Sequence, residues 1–268
     1  MAGADVNVKA IVLKKTKLGE SDLILHLLSS DGAQLRAVAK GARKPKSSFA
    51  SRLELFSISN LLLAPGKTFY IVKEARLLQA NEAIRKDYDL TLAASPMMQI
   101  VDKEICEVVE NPFYFNLSVK ALSIIAENEA NTAPLICIAF FLKVFAVAGV
   151  RPCFDSCVHC SATFFVKDAK DAKDAKDARN FSIHMSVQDG GLVCEDCASK
   201  YEDKEHAQLT TMSIHSLMVA CEMLCSTLDH VAEMSVATHV RKELLIFCKR
   251  WTSAHLHCSL KSLNMMCN

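Results

Sequence analysis

Two matched pairs of cysteines, Cys157-Val158-His159-Cys160 and Cys194-Glu195-Asp196-Cys197, offer four thiolates at the spacing of metal-binding knuckles. Four sulfurs satisfy the tetrahedral preference of a structural zinc ion and leave no position open for water or substrate. The metal expected is therefore one Zn2+ per chain that holds structure and does no chemistry. The stretch between the pairs exceeds the usual roughly 15 to 20 residues. A Lys-Asp-Ala repeat from Lys167 to Arg179 accounts for the excess, because lengthening a surface loop costs little entropy. Asp189-Gly190-Gly191 before Leu192 and Val193 is a turn signal and predicts a hairpin that presents the second pair. Free thiols are the alternative, and Cys153 and His159 compete as ligands although neither belongs to a matched pair.

The second chemical signal is charge. Arg36, Lys40, Arg43, Lys44, Lys46 and Arg52 fall in one stretch without an acidic residue. Such a run pairs with phosphate oxygens or is a solvated loop. Context favours phosphate: up to Ala80 the chain carries 13 Lys plus Arg against 6 Asp plus Glu, and beyond it 18 against 24. The net charge of +1 thus conceals a basic front and an acidic rear, and only the front is suited to a polyanion. Phe49, Phe56, Phe69 and Tyr70 lie in or beside this region; most are expected to be core, with no more than one stacking on a base.

Other signals fail on spacing. Gly66-Lys67-Thr68 imitates the end of a phosphate-binding loop, but Leu61 stands where the first glycine is required, and the segment reads as a turn. His255, His257 and Cys258 read as ordinary helix residues, since residues two apart do not share a helical face. No Ser/His/Asp set, paired carboxylates or glycine-rich nucleotide loop stands out, so no enzyme is expected.

The elements that must position these residues follow from periodicity. Val8 to Lys14, Asp22 to Leu28, Gln34 to Ala39, Leu53 to Leu63 and Thr68 to Leu77 read as five short strands, broken by Gly19-Glu20-Ser21-Asp22, Asp31-Gly32 and Pro65-Gly66. Five strands in that length predict a closed oligonucleotide-binding (OB) barrel, with a small open sheet as the alternative. Beyond Asn81 apolar residues recur three and four apart, as at Ala94, Met97, Met98, Val101, Ile105 and Val108, which predicts a bundle of about five helices. Leu135 to Val150 reads as a buried helix: Lys143 interrupts it, and it falls short of the roughly 20 residues that span a bilayer. Thr210 to Leu228 and Val236 to Leu256 read as amphipathic helices. The Lys-Asp-Ala repeat, with no apolar side chain larger than alanine, reads as a solvated insertion.

The fold class is thus α+β multidomain. It comprises a five-stranded OB barrel over residues 1–80 for DNA binding and a helical body over 81–150 and 206–268. A four-cysteine zinc module over 151–205 is inserted into that body. The first residues lack an apolar core followed by a cleavage site, so a cytoplasmic protein without membrane attachment is expected, its 12 cysteines serving as metal ligands and core thiols.

Several segments carry a family resemblance. Ala10-Ile11-Val12-Leu13, Gly19-Glu20-Ser21-Asp22 and Ala37-Val38-Ala39-Lys40-Gly41-Ala42-Arg43 resemble the strand, turn and basic segment of the RecO family of bacterial DNA-repair and recombination proteins. Gly149-Val150-Arg151-Pro152 resembles that family's junction into its zinc module, and Leu260-Lys261-Ser262-Leu263 its closing motif. The resemblance implies a non-enzymatic mediator that works at the bacterial nucleoid. It would bind single- and double-stranded DNA, anneal complementary strands, and act with RecR to load RecA onto DNA coated by single-strand-binding protein (SSB), whose C-terminal tail would dock on the helical domain. The Lys-Asp-Ala insertion and Cys153 depart from the pattern. The competing readings are a zinc-ribbon adaptor that binds protein and not DNA, and a zinc-dependent hydrolase, which needs a water ligand on the metal.

Overall fold

The computed structural model describes residues 4–104, 110–163, 182–200 and 209–267. The Lys-Asp-Ala repeat, Ile105 and Val108 lie outside them. The chain divides into two compact units, Met1–Ala133 and Pro134–Asn268.

In the first unit, strands β1 (Val6–Leu18), β2 (Asp22–Ser29), β3 (Gln34–Ala39), β4 (Ile58–Ala64) and β5 (Tyr70–Gln79) form a closed barrel in the order β1-β2-β3-β5-β4. Period-two alternation sends Ala10, Val12, Leu25, Leu27, Ala37, Ala39, Leu61 and Leu63 into one core with Leu53, Val72 and Ala75. Ile11 and Leu13, on the opposite face of β1, are buried as well. They are buried there because β1 packs against helix α2 (Tyr88–Glu104), which is why this segment reads as a continuous apolar run. His26 of β2 meets Asp102 of α2 at 2.6 Å, and Gln34 Nε2 donates to the Asp102 carbonyl at 2.7 Å, fixing the helix on the barrel. Helices α1 (Glu82–Lys86) and α3 (Pro112–Glu127) complete the unit. Asn111 N-caps α3, its side chain accepting from the Phe113 N–H.

The run Leu53 to Leu63 is a strand only from Ile58 onward. Phe56 is fully buried in a left-handed conformation, φ 67°, and the chain turns there before β4 begins. A bulky residue is strained in that region by about 1–3 kcal/mol. The surroundings hold it: the Asn81 side chain donates to the Phe56 carbonyl at 2.8 Å and accepts from Gln79 Nε2 at 2.8 Å. Asn81 is itself left-handed, φ 47°, a conformation that asparagine tolerates better than most residues.

In the second unit the helices are α4 (Ala133–Val147), α5 (Glu195–Ala198), α6 (Ile214–Cys225), α7 (Leu228–Glu233), α8 (Thr238–His255) and α9 (Lys261–Met266). Over both units the described residues form nine helices, of which α2, α3, α4, α6 and α8 are the long ones. A sheet in the order β7 (Gly191–Val193), β6 (Ser182–Ser186), β8 (Leu209–Ser213) accompanies them. Strand β8 occupies the start of the segment expected to be helical from Thr210. The change occurs at Ser213, which N-caps α6 by accepting from the Ser216 N–H, while Glu243 of α8 accepts from the Ser213 backbone and hydroxyl. The helix expected over Leu135 to Val150 runs from Ala133 to Val147 and is buried from Leu135 to Phe145 except at the half-buried Lys143, while its last residue, Val147, is exposed. Lys143 uses its ammonium to cap α6, donating to the Ser226 carbonyl at 2.5 Å and the Leu224 carbonyl at 3.3 Å. Burial holds that ammonium below the ordinary lysine range. Gly149, φ 78°, closes α4 in a Schellman turn, with Val150 N–H donating to the Phe145 carbonyl and Gly149 N–H to that of Ala146. The Val150 carbonyl then accepts from Trp251 Nε1 at 2.9 Å.

His255, the last residue of α8, stacks on Trp251 and meets the Val187 carbonyl at 2.6 Å. His257 and Cys258 lie beyond the helix, with His257 left-handed, so the reading of all three as helix residues is corrected for these two. No helix among the described residues is long and apolar enough to cross a membrane.

Asn81→Ala is expected to cost the barrel about 2–4 kcal/mol, since it leaves a buried carbonyl unpaired and puts alanine in a left-handed position. Hydrogen exchange of the β1 and β4 amides measures this, and unchanged protection would show that Asn81 does not hold the Phe56 turn.

Candidate nucleic-acid interface and metal centre

The basic residues lie on β3 and the loop from Lys40 to Ser57, and two anchors set that loop's course. At its start, Asp22 Oδ1 accepts from the Gly41 N–H at 2.7 Å. The Arg43 N–H donates to the Ser21 carbonyl, and Arg43 Nη1 to the carbonyls of Gly19 and Glu20 at 3.1 and 2.9 Å. Gly41 sits at φ 66°, the left-handed bend that lets the loop fold back on the β1–β2 turn. The Asp22 carboxyl is held below the usual carboxylate range, first by the Gly41 N–H, then by the Ser21 hydroxyl, with Lys40 and Lys44 adding attraction. Near its end the loop is held to β5, where Arg52 Nη1 donates to the Ala75 carbonyl at 3.1 Å.

The six cations therefore divide into two kinds. Arg36, Lys40, Lys44 and Lys46 are exposed, with no side-chain hydrogen bond or ion pair among the described residues. Arg43 and Arg52 are exposed too, but each spends a donor on backbone carbonyls. Sequence reasoning missed Asp22, the group that organises the loop; its only signal was its place closing the Gly19-Glu20-Ser21-Asp22 turn. Of the four aromatics, Phe56 is fully buried, Phe49 and Tyr70 pack against the barrel core, and Phe69 is half-buried.

In the second unit the structure brings the two cysteine pairs together. The sulfurs of Cys157, Cys160, Cys194 and Cys197 lie within 4.8 Å of one another. Strands β6 and β7 form the expected hairpin, with His184 opposite Val193 and Ser186 opposite Gly191, and Cys194 follows directly. The first pair is laid against this hairpin by the Cys153 N–H to the Gly190 carbonyl, Leu192 N–H to the Cys153 carbonyl, and Val158 N–H to the Leu192 carbonyl. Only glycine fits at Gly191, where a Cβ would stand 2.5 Å from the Cys153 carbonyl oxygen.

Burial opposes ionisation of Cys157, but N–H groups of Cys194, Cys160 and His159 around its sulfur outweigh it and bring the thiol down to about 6. At Cys197 the adjacent Cys194 thiol pushes ionisation the other way, up to about 12. Four thiols this close cannot all ionise near neutral pH unless a cation compensates them, so the donor set is compatible with a metal ion. The competing ligands are turned away. His159 faces Asp189 at 3.4 Å, and Cys153 bonds to Asp155 and Ser156.

Comparison with known proteins covers both units. The family described as Recombination protein O N terminal matches residues 1–81, and that described as Recombination protein O C terminal matches residues 85–264. A protein named DNA repair protein RecO from Thermoanaerobacter sp. (strain X514) is 27% identical over 264 residues, covering 98% of this chain and 97% of its own length. One of the same name from Syntrophomonas wolfei is 27% identical over 239 residues, with 89% and 86% covered. Another, from Bifidobacterium longum subsp. infantis, is 31% identical over 189 residues, with 70% and 72% covered. With the barrel inside the first matched region and both cysteine pairs inside the second, the chain belongs to the RecO family of DNA repair and recombination proteins.

Proposed function

We propose that this chain is a non-enzymatic recombination mediator that binds single- and double-stranded DNA and anneals complementary strands. With RecR it helps load RecA onto SSB-coated DNA at the bacterial nucleoid. The observation that carries the reading is the anchored basic loop. Arg36, Lys40, Lys44 and Lys46 are exposed on a barrel of the oligonucleotide-binding type with no side-chain hydrogen bond or close ion pair among the described residues, and Arg43 and Arg52 stand beside them. Cations fixed in this way neutralise phosphates on approaching strands and lower their mutual repulsion, which is what annealing requires. No bond is made or broken.

DNA binding is assigned to residues 1–80 and the zinc module to residues 151–205, set into a helical body over 81–150 and 206–268. Cys157, Cys160, Cys194 and Cys197 would hold one Zn2+, whose charge would let all four sulfurs ionise and would brace the hairpin. The SSB tail, acidic and ending in apolar residues, needs an apolar groove with a cation. A groove of about 470 Å³ lined by Met212, Ile246, Phe247 and Arg250, and also by Glu243, Thr210 and Thr211, would be the docking place, with Arg250 as its cation.

If four phosphates of a single strand are neutralised, log affinity falls with log salt at a slope of roughly −3, from about −0.7 per contact. Lys44→Glu with Lys46→Glu is expected to weaken binding and make the slope shallower by about 1.4. A gel-shift salt titration that left both unchanged would remove this face from the mechanism, and no salt-dependent binding at all would favour the protein-binding adaptor.

Purified protein is expected to carry one zinc per chain with four sulfurs at about 2.3 Å by X-ray absorption. Cys157→Ser and Cys194→Ser should each lose the metal and the ordered module, while the salt slope for DNA stays as in the parent. Full metal content in both variants contradicts the assignment.

A further inference from the structure

The barrel carries a second cationic groove that the Lys40–Lys46 segment does not account for. It opens where closure is thinnest. Strands β3 and β5 pair only at Ala37 with Tyr70 and Val38 with Ile71, so among the described residues no strand lies along that side of β5 from Lys73 onward. The later part of the basic loop lies there instead, tied by Arg52 to the Ala75 carbonyl. Beside it is an open groove of about 490 Å³, lined among others by Asn7, Phe49, Arg52, Asn60, Lys73 and Arg76.

Cross-strand register brings these groups onto one outward face. Asn60 of β4 stands between Lys9 of β1 and Arg76 of β5, and in the next outward row Leu62 stands between Asn7 and Glu74. Arg52, Lys73 and Arg76 thus share the concavity with a single carboxylate, Glu74. The side chains of Asn7, Asn60, Lys73 and Arg76 are exposed and make no hydrogen bond or ion pair with the described residues. Three cations against one carboxylate in a concavity focus a net positive potential, and their mutual repulsion costs stability in the isolated protein. An anionic ligand removes that cost. The two amides add paired donors and acceptors suited to base edges, and Phe49 adds aromatic surface at the rim.

We infer that this groove is a second DNA-backbone site, which holds one single strand on Arg52, Lys73 and Arg76 while the Lys40–Lys46 segment holds another. The inference rests on the DNA-binding reading above and deepens it. Two strands held by opposite ends of one loop meet at an effective concentration set by the barrel and not by the solution, so annealing becomes an encounter on a single molecule.

The test uses the full chain at low salt with a non-complementary oligothymidylate of about eight nucleotides, within the range one OB fold covers. Native mass spectrometry counts oligomers per chain. The parent is expected to bind two, Lys73→Glu with Arg76→Glu one, and Lys44→Glu with Lys46→Glu one. Both variants should anneal complementary strands at least tenfold more slowly. Lys73→Gln with Arg76→Gln, which adds no negative charge beside Glu74, should give the same single occupancy and guards against a folding defect. One oligomer on the parent, lost only in the loop variant, overturns the second site and leaves the DNA-binding reading standing. Two on either Lys73/Arg76 variant does the same, whereas no binding by any form overturns both.

Discussion

Closing a five-stranded barrel through only two parallel residue pairs is the constraint on which the placement of charge depends. Strands β3 and β5 run the same way, so no short hairpin can join them, and the chain must travel from Ala39 around to Ile58 before β4 can begin. That journey is the basic loop. Its direction is set by the Asp22 carboxylate at one end and by the unpaired edge of β5 at the other, where Arg52 takes the carbonyl that a neighbouring strand would have used. A loop anchored twice displays its lysines from a fixed frame. The ordering entropy of the backbone is thus met during folding and not again when a ligand arrives.

Much of this architecture was legible in the sequence, and the failures share one cause. Strands β1, β2 and β3 announce themselves because one face is core and the intervening turns carry Gly19 and Gly32, both at positive φ. The cysteine pairs announce the thiol cluster because ligand spacing is a local property. What periodicity cannot see is a buried turn. The run from Leu53 to Leu63 largely alternates apolar and polar residues as far as Asn60, as a strand would, yet Phe56 turns the chain inside it, held by Asn81 from the far side of β5. The same blindness hid β8, whose residues alternate too briefly to be told from the helix that follows. It also hid the end of α8, where His255 stops because its ring is committed to Trp251 and the Val187 carbonyl. In each case the deciding partner lies tens of residues away.

The thiol cluster obeys a related economy. The two knuckles come from segments separated by the insertion, and backbone hydrogen bonds through Cys153, Gly190 and Leu192 bring them into register without help from a large core. Among the described residues, Cys157, Val193 and Ala198 form a buried nucleus at the cluster, with Val158, Cys194, Cys197 and Leu209 packed against it. The donor set is compatible with a metal ion, and an ion bound by the four sulfurs would add its binding free energy to that of this nucleus. The segment that follows α4 feeds this region from firmer ground, since the Schellman turn at Gly149 aims the Val150 carbonyl at Trp251, itself packed against the tilted rings of Phe145 and Phe247.

The choice between arginine and lysine within the basic loop follows the same logic of fixed and free. Arg43 and Arg52 stand where carbonyl oxygens need a donor, and a planar guanidinium serves two acceptors at once while keeping its charge, as Arg43 does for Gly19 and Glu20. Lys44 and Lys46 stand between these two arginines and Lys40 just before them, each an exposed ammonium on a flexible stem with no side-chain hydrogen bond among the described residues. Both bonds of Arg43 come from one nitrogen, Nη1, so the guanidinium is held to the turn by one end and keeps its charge. Net charge alone therefore underdescribes the loop: which cations are tethered decides how many remain for a polyanion.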